Sequence, residues 1–126
     1  MYHFLLVGLG GFVGAISRHA LQTFVHRFAD SAHFPYGTTA VNLAGCLAIG
    51  VVGGLVEYRE LFGPETRALI IVGMLGGFTT FSTFGYETYE LMRAGQPGLA
   101  SINVLVQVTV GIAGIWLGHS AVRFLS

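Results

Sequence analysis

The sequence holds no lysine, a single aspartate, a single cysteine and three prolines, and charged residues make up only 10% of its 126 positions. A soluble domain carries about 25% charged residues, so this chain has too few to coat a water-facing globule. The lone Cys46 excludes a disulfide scaffold. A net charge of zero excludes a nucleic-acid binder, and 53% hydrophobic residues exclude disorder. With mean hydropathy +0.70, the composition is that of a small integral membrane protein.

Six arginines, five glutamates and Asp30 divide the chain into uncharged stretches at 1–17, 31–56, 68–86 and 94–122. A spanning helix needs about 20 mostly apolar residues. The last three stretches meet that length, and the first does so if it runs past Arg18. The reading is an all-α membrane protein: one four-helix transmembrane domain over residues 1–126, with helices near 3–26, 38–57, 66–92 and 97–124. Pro35, Gly37, Pro64 and Pro97 mark the links. Thr38 or Thr39 is a cap for the second helix, and Pro64 suits the first turn of the third. Residues 1–17 lack both a Lys/Arg n-region and a small-residue cleavage site, and read as a mature helix. GLGGFVG (8–14) has Val13 where a dinucleotide fingerprint needs its third glycine, and no strand precedes it.

Orientation follows the Lys/Arg balance between the two sides. Here Arg59, Arg67 and Arg123 oppose Arg18, Arg27 and Arg93, an even tally. That leaves open a weak bias resolved by other features, or insertion both ways with pairing to an inverted copy. Each helix carries a GxxxG pair: Gly10/Gly14, Gly50/Gly54, Gly73/Gly77 and Gly114/Gly118. Small residues at that spacing let backbones approach closely. They fit packing within one chain, and also assembly into at least a dimer.

Chemistry concentrates in the third helix, where Gly76 and Gly77 precede Thr79, Thr80, Ser82 and Thr83. Two glycines weaken a helix, and hydroxyls satisfy freed backbone groups. A break near residues 76–80 is expected, against a kinked but continuous helix. Unwound carbonyls at membrane depth are good Na⁺ ligands. Phe78, Phe81 and Phe84 form one stripe, and the positive edges of phenyl rings can face an anion. Asn42 is an amide in an apolar helix, costly unless paired. It either bonds a neighbouring helix or points into an ion path, and Asn103, Gln107 and Thr109 pose the same alternatives.

GGFVGAISR (10–18), YGTTAVNLAG (36–45) and GMLGGFTTFSTFGYE (73–87) resemble the three signature stretches of the CrcB/Fluc fluoride channels, in the same order and over nearly the whole chain. The resemblance implies an antiparallel, dual-topology homodimer in a bacterial inner membrane. It would pass fluoride passively out of the cell, relieving fluoride toxicity, through two pores at the dimer interface. It also implies a structural Na⁺ at the dimer centre on the carbonyls of Gly76 and Thr79. By the same resemblance the pore phenylalanines fall on Phe81 and Phe84, the hydroxyl track on Ser82 and Thr83, the pore amide on Asn42, the vestibule arginine on Arg18, and a position near the far end of the pore on Glu87. Some members add a fourth-helix serine, whose place here is Gly111, with Thr109 or Gln107 as stand-ins.

The alternative is a small multidrug exporter of dual topology, which needs a membrane-embedded carboxylate. The first helix has no Asp or Glu through residue 29, and the second has none before Glu57. A scaffold subunit would leave the phenylalanine and hydroxyl stripes without a task. An enzyme is disfavoured by scattered histidines and the lack of a metal cluster or nucleophile set. The expected partners are fluoride, lipid and a second copy, with no nucleic acid.

Overall fold

The computed structural model describes residues 1–30 and 32–125, and every regular element among them is helical. Four helices have the length and hydropathy to cross a membrane: α1 (Tyr2–His26), α2 (Tyr36–Arg59), α3 (Pro64–Arg93) and α4 (Pro97–Phe124), with hydropathies of 1.5 to 1.9. The chain is a multi-pass membrane protein. Its outer surface is rich in large apolar side chains, and its interior holds polar residues beside Val41, Ala100 and Val122. Thr38, Thr39, Thr80 and Asn103 are buried, while Phe4, Phe12, Trp116 and Phe124 are exposed.

Local chemistry sets most helix ends. Pro64 and Pro97 begin α3 and α4, where a missing N–H costs nothing. α3 ends in a Schellman turn: Gly95, at φ 71°, donates to the Met92 carbonyl and Gln96 to that of Leu91. α2 departs from expectation. It starts at Tyr36, after Pro35, and neither threonine caps it. Thr39 is already inside the helix, and its hydroxyl donates back to the Pro35 carbonyl at 2.9 Å. Thr38 instead donates across to Glu87 at 2.7 Å.

Two stretches, Ala68–Leu75 in α3 and Val106–Val110 in α4, widen to π-helical turns. Hydropathy patterning cannot reveal such turns, which often lie near functional positions.

The glycine pairs meet one another inside the chain. Gly10 and Gly14 of α1 lie on the α3 backbone around Gly73, Met74 and Phe78, and Gly77 lies on the backbone of Gly11. Gly50 of α2 rests on the backbone of Ile115, and Gly118 of α4 on that of Leu47 and Val51. The chain is thus two close helix pairs, α1 with α3 and α2 with α4. All four GxxxG pairs contribute within one copy, so they are not in themselves a reason for a second.

A methyl at Gly14 would sit 2.8 Å from the Phe78 nitrogen, and backbone cannot move aside as a side chain tip can. Gly14→Ala is expected to destabilise the detergent-solubilised protein by about 1–3 kcal/mol. Gly8→Ala, with nothing within 4 Å of the added carbon, should change stability by less than about 0.5 kcal/mol. Thermal unfolding of the two variants checks this, and equal melting would remove the glycine contacts as a packing constraint.

Candidate functional site

Within α3, helical geometry holds through Phe78 and resumes at Phe81. Between them Thr79 (φ −80°, ψ 158°) and Thr80 (φ −149°, ψ 108°) are extended. Gly76 and Gly77 themselves stay helical. Their smallness serves contact instead, since Gly77 abuts α1. In a continuous helix the Thr80 N–H would donate to the Gly76 carbonyl, and the Thr83 N–H to that of Thr79. Here Thr80 N–H donates to Asn42 Oδ1 at 2.9 Å, and Thr83 N–H to Thr80 Oγ1 at 3.3 Å. The carbonyls of Gly76 and Thr79 therefore lose their helical donors. Thr80 acts as the N-cap of the following turn. The sequence signal for it was a hydroxyl residue three positions before Thr83, within a run whose hydroxyls all looked alike.

Beside these extended residues lies a groove of 380 Å³. Its lining is mainly apolar, with Ile49, Ile71, Leu75 and Val108 beside the polar residues Asn42, Thr79, Thr80 and Gln107, and Phe81 and Phe84 edge it. The two rings are tilted at 52° with centroids 5.6 Å apart. Phe81 is 83% exposed, so the groove is open on its side. Among the described residues, no charged side chain lines it. Of the predicted pore residues, Asn42, Phe81 and Phe84 come together here with Gly76 and Thr79. Ser82 and Thr83 do not line the groove: Ser82 is exposed, and the Thr83 hydroxyl bonds that of Thr80 at 2.9 Å.

Asn42 is held by its neighbours. Its amide nitrogen donates to the Thr80 carbonyl at 3.1 Å and to Gln107 Oε1 at 2.7 Å, which occupies both of its hydrogens. Gln107 in turn donates to Asn103 Oδ1 at 2.8 Å. Of the two alternatives open for these amides in the sequence, pairing across helices describes this structure. Thr109 is separate, its hydroxyl donating to the Leu105 carbonyl of its own helix. Gly111 is buried against α2, where an added Cβ would lie 3.2 Å from Cys46 Sγ.

The two predicted charged positions lie outside the groove. Arg18 is half-buried and reaches the Thr79 carbonyl through Nη1 at 3.4 Å. Glu87 is half-buried beside a second cavity of 460 Å³ that His26 and His33 also line. Its Oε1 accepts from Thr38, which accepts in turn from Gln22 at 3.3 Å, and its Oε2 is buried with no hydrogen-bond partner. Gln22 was not singled out in the sequence, and Thr38 only as a helix cap, because neither helix face alone identifies a partner on another helix. Among the described residues no cluster of His, Cys, Asp or Glu suits a metal ion. Backbone carbonyls are the oxygen donors at hand.

The model of the family described as "CrcB-like protein, Camphor Resistance (CrcB)" matches residues 5–119. The chain is 41% identical over 123 residues to a protein of Methylobacillus flagellatus named fluoride-specific ion channel FluC, covering 98% of this chain and 96% of that one. It is 43% identical over 120 residues to the protein of that name from Solibacter usitatus (95% and 98% covered), and 41% identical over 118 residues to FluC 1 of Methanosarcina acetivorans (94% and 88% covered). With a family match across residues 5–119 and relatives of this similarity along nearly its full length, this chain belongs to the CrcB-like family.

Proposed function

We propose that this chain is a fluoride channel that conducts F⁻ passively across a bacterial inner membrane as an antiparallel homodimer, relieving fluoride toxicity. The observation that carries the reading is the uncharged groove, in which Phe81 and Phe84 and the neutral residues Asn42, Thr79, Thr80 and Gln107 line one space. Fluoride is small and strongly hydrated, so a path for it must replace water with directed donors. Neutral donors do this without a fixed cation that would trap the ion. The names of the similar proteins point the same way. A groove without a carboxylate disfavours the proton-coupled exporter.

One copy supplies half a pathway on this reading. Phe81 stands exposed at the open side of the groove, and a second, inverted copy would close it. The even arginine tally permits such a partner. Asn42 would serve the ion by exchanging its bond to Gln107 for one to fluoride. The Phe81 and Phe84 ring edges would flank the ion, and the Ser82 and Thr83 hydroxyls would extend the path beyond the groove. Arg18 would raise the local anion concentration at an entrance. Glu87, bonded to Thr38, would stand near the far end.

The carbonyls of Gly76 and Thr79 fit the proposed structural Na⁺, because both have lost their helical donors and Thr79 retains only a long bond from Arg18. When bound, Na⁺ would supply a positive charge shared between the two copies. On the chain's side, Thr80 and Asn42 keep those carbonyls out of the helix ladder.

Electrode-detected efflux from proteoliposomes tests the reading. Fluoride should leave without a proton gradient and faster than chloride, and equal rates or no flux would reject it. Asn42→Asp puts a negative charge into the path and removes the amide donor, and should cut fluoride efflux by at least about tenfold. Phe81→Ile and Phe84→Ile should each slow efflux about three- to tenfold, the size that oriented aromatic contacts contribute. Wild-type efflux in both would end the ring-edge role. Replacing Na⁺ by a large organic cation during reconstitution should lower both flux and dimer yield; identical behaviour would remove the cation from the account.

A further inference from the structure

The side-chain amides between α2 and α4 run in one direction, and one backbone group fixes that direction. Amide orientation is normally assigned from surrounding bonds. At Thr80 there is no choice, since a backbone N–H only donates and a carbonyl only accepts. The Thr80 N–H therefore faces Asn42 Oδ1, and its carbonyl faces Asn42 Nδ2. Because that nitrogen also meets Gln107 at 2.7 Å, Gln107 must present Oε1. Its Nε2 then donates to Asn103 Oδ1 at 2.8 Å, and Asn103 Nδ2 donates to Thr88 Oγ1 at 2.9 Å. The Thr88 hydroxyl passes its hydrogen to the Phe84 carbonyl at 2.7 Å.

The run closes on itself in space. It begins at the Thr80 backbone and ends at the Phe84 backbone, the two ends of the segment that bears both groove-edging rings. Asn103 is fully buried and absent from the groove wall, so it cannot itself meet an ion there. It can act only through the groups it holds.

We propose that Asn103 and Gln107 are positioning residues: their one-way amide bonds hold in place the Asn42 side chain, whose direction Thr80 sets, and anchor the Thr80–Phe84 segment from both ends. The claim rests on the conduction reading above for its effect on flux, and on the hydrogen-bond geometry alone for its effect on Asn42. Reversal of any one amide would set oxygen against oxygen or nitrogen against nitrogen, so the run holds together as a unit.

The test combines fluoride efflux from proteoliposomes with the side-chain ¹⁵N–¹H signals of Asn42, in Gln107→Met, Asn103→Leu and the double variant. Gln107→Met keeps length and removes the bonds to Asn42 and Asn103, together with a longer one to Thr39 at 3.4 Å. Each single variant should slow efflux about five- to tenfold, the loss of one hydrogen bond on an oriented group. The double variant should be no slower than the slower single, because one break already uncouples the run. Asn103→Leu should shift the Asn42 amide signals, although Asn103 reaches Asn42 through Gln107. Losses that multiply in the double variant, or unmoved Asn42 signals in a folded Asn103→Leu protein, would overturn the proposal. Should Asn103→Leu not fold, Gln107→Met decides, and wild-type flux with wild-type Asn42 signals would overturn it. If the wild-type protein moves no fluoride, the conduction reading fails, while the Asn42 signals still decide the positioning claim.

Discussion

The bidentate bond between the Asn42 amide and the backbone of Thr80 is the contact on which the rest of this structure depends. Inside a bilayer, backbone groups without partners cost several kcal/mol each, and water is not at hand to satisfy them. α3 can hold two extended residues at membrane depth because one side chain on α2 supplies both an acceptor and a donor. Everything distinctive about the site follows from that substitution. The Gly76 and Thr79 carbonyls leave the helix ladder, Thr80 becomes a cap, and the turn after it sets Phe81 and Phe84 along the groove.

The glycines make this geometry possible at a second level. Asn42 can reach Thr80 only if α2 and α3 lie close, and Gly45 provides the clearance: an added Cβ there would collide with the Thr79 methyl. On the far side, Gly77 lets the α3 backbone settle on Gly11. The extended residues are thus held between α1 and α2 by small residues on either flank. Since the GxxxG pairs are spent on contacts within the chain, the ground for a second copy shifts. It rests on the open groove and the exposed Phe81, rather than on smooth helix faces looking for a mate.

Hydropathy and proline placement made the four spans legible, because length and composition alone determine whether a helix can cross a bilayer. The start of α2 was not legible: threonine suits a cap anywhere, and only the fold reveals that Thr38 is committed to Glu87. The residues at the interruption were legible as a cluster but not individually. Two glycines looked like the weak point, yet the departure falls on Thr79 and Thr80, where the Thr80 hydroxyl and Asn42 replace the lost bonds. Asn103 and Gln107 stood out as polar groups in an apolar helix, but periodicity specifies a face and never a partner. Their spacing of four puts them on one face of α4, and the fold brings that face to Asn42.

A filled donor set at Asn42 also bears on how a site can bind an ion without keeping it. On the proposed reading, an anion must compete with Gln107 for a hydrogen already in use. A net hydrogen bond of about 1 kcal/mol is exchanged rather than created. The protein bond re-forms when the ion moves on, so no donor is stranded in a low-dielectric space. Conduction requires binding that is favourable enough for entry and weak enough for exit. An amide poised between a protein acceptor and a passing anion meets both conditions. A lysine or arginine in the same place would meet only the first, and the groove wall contains neither.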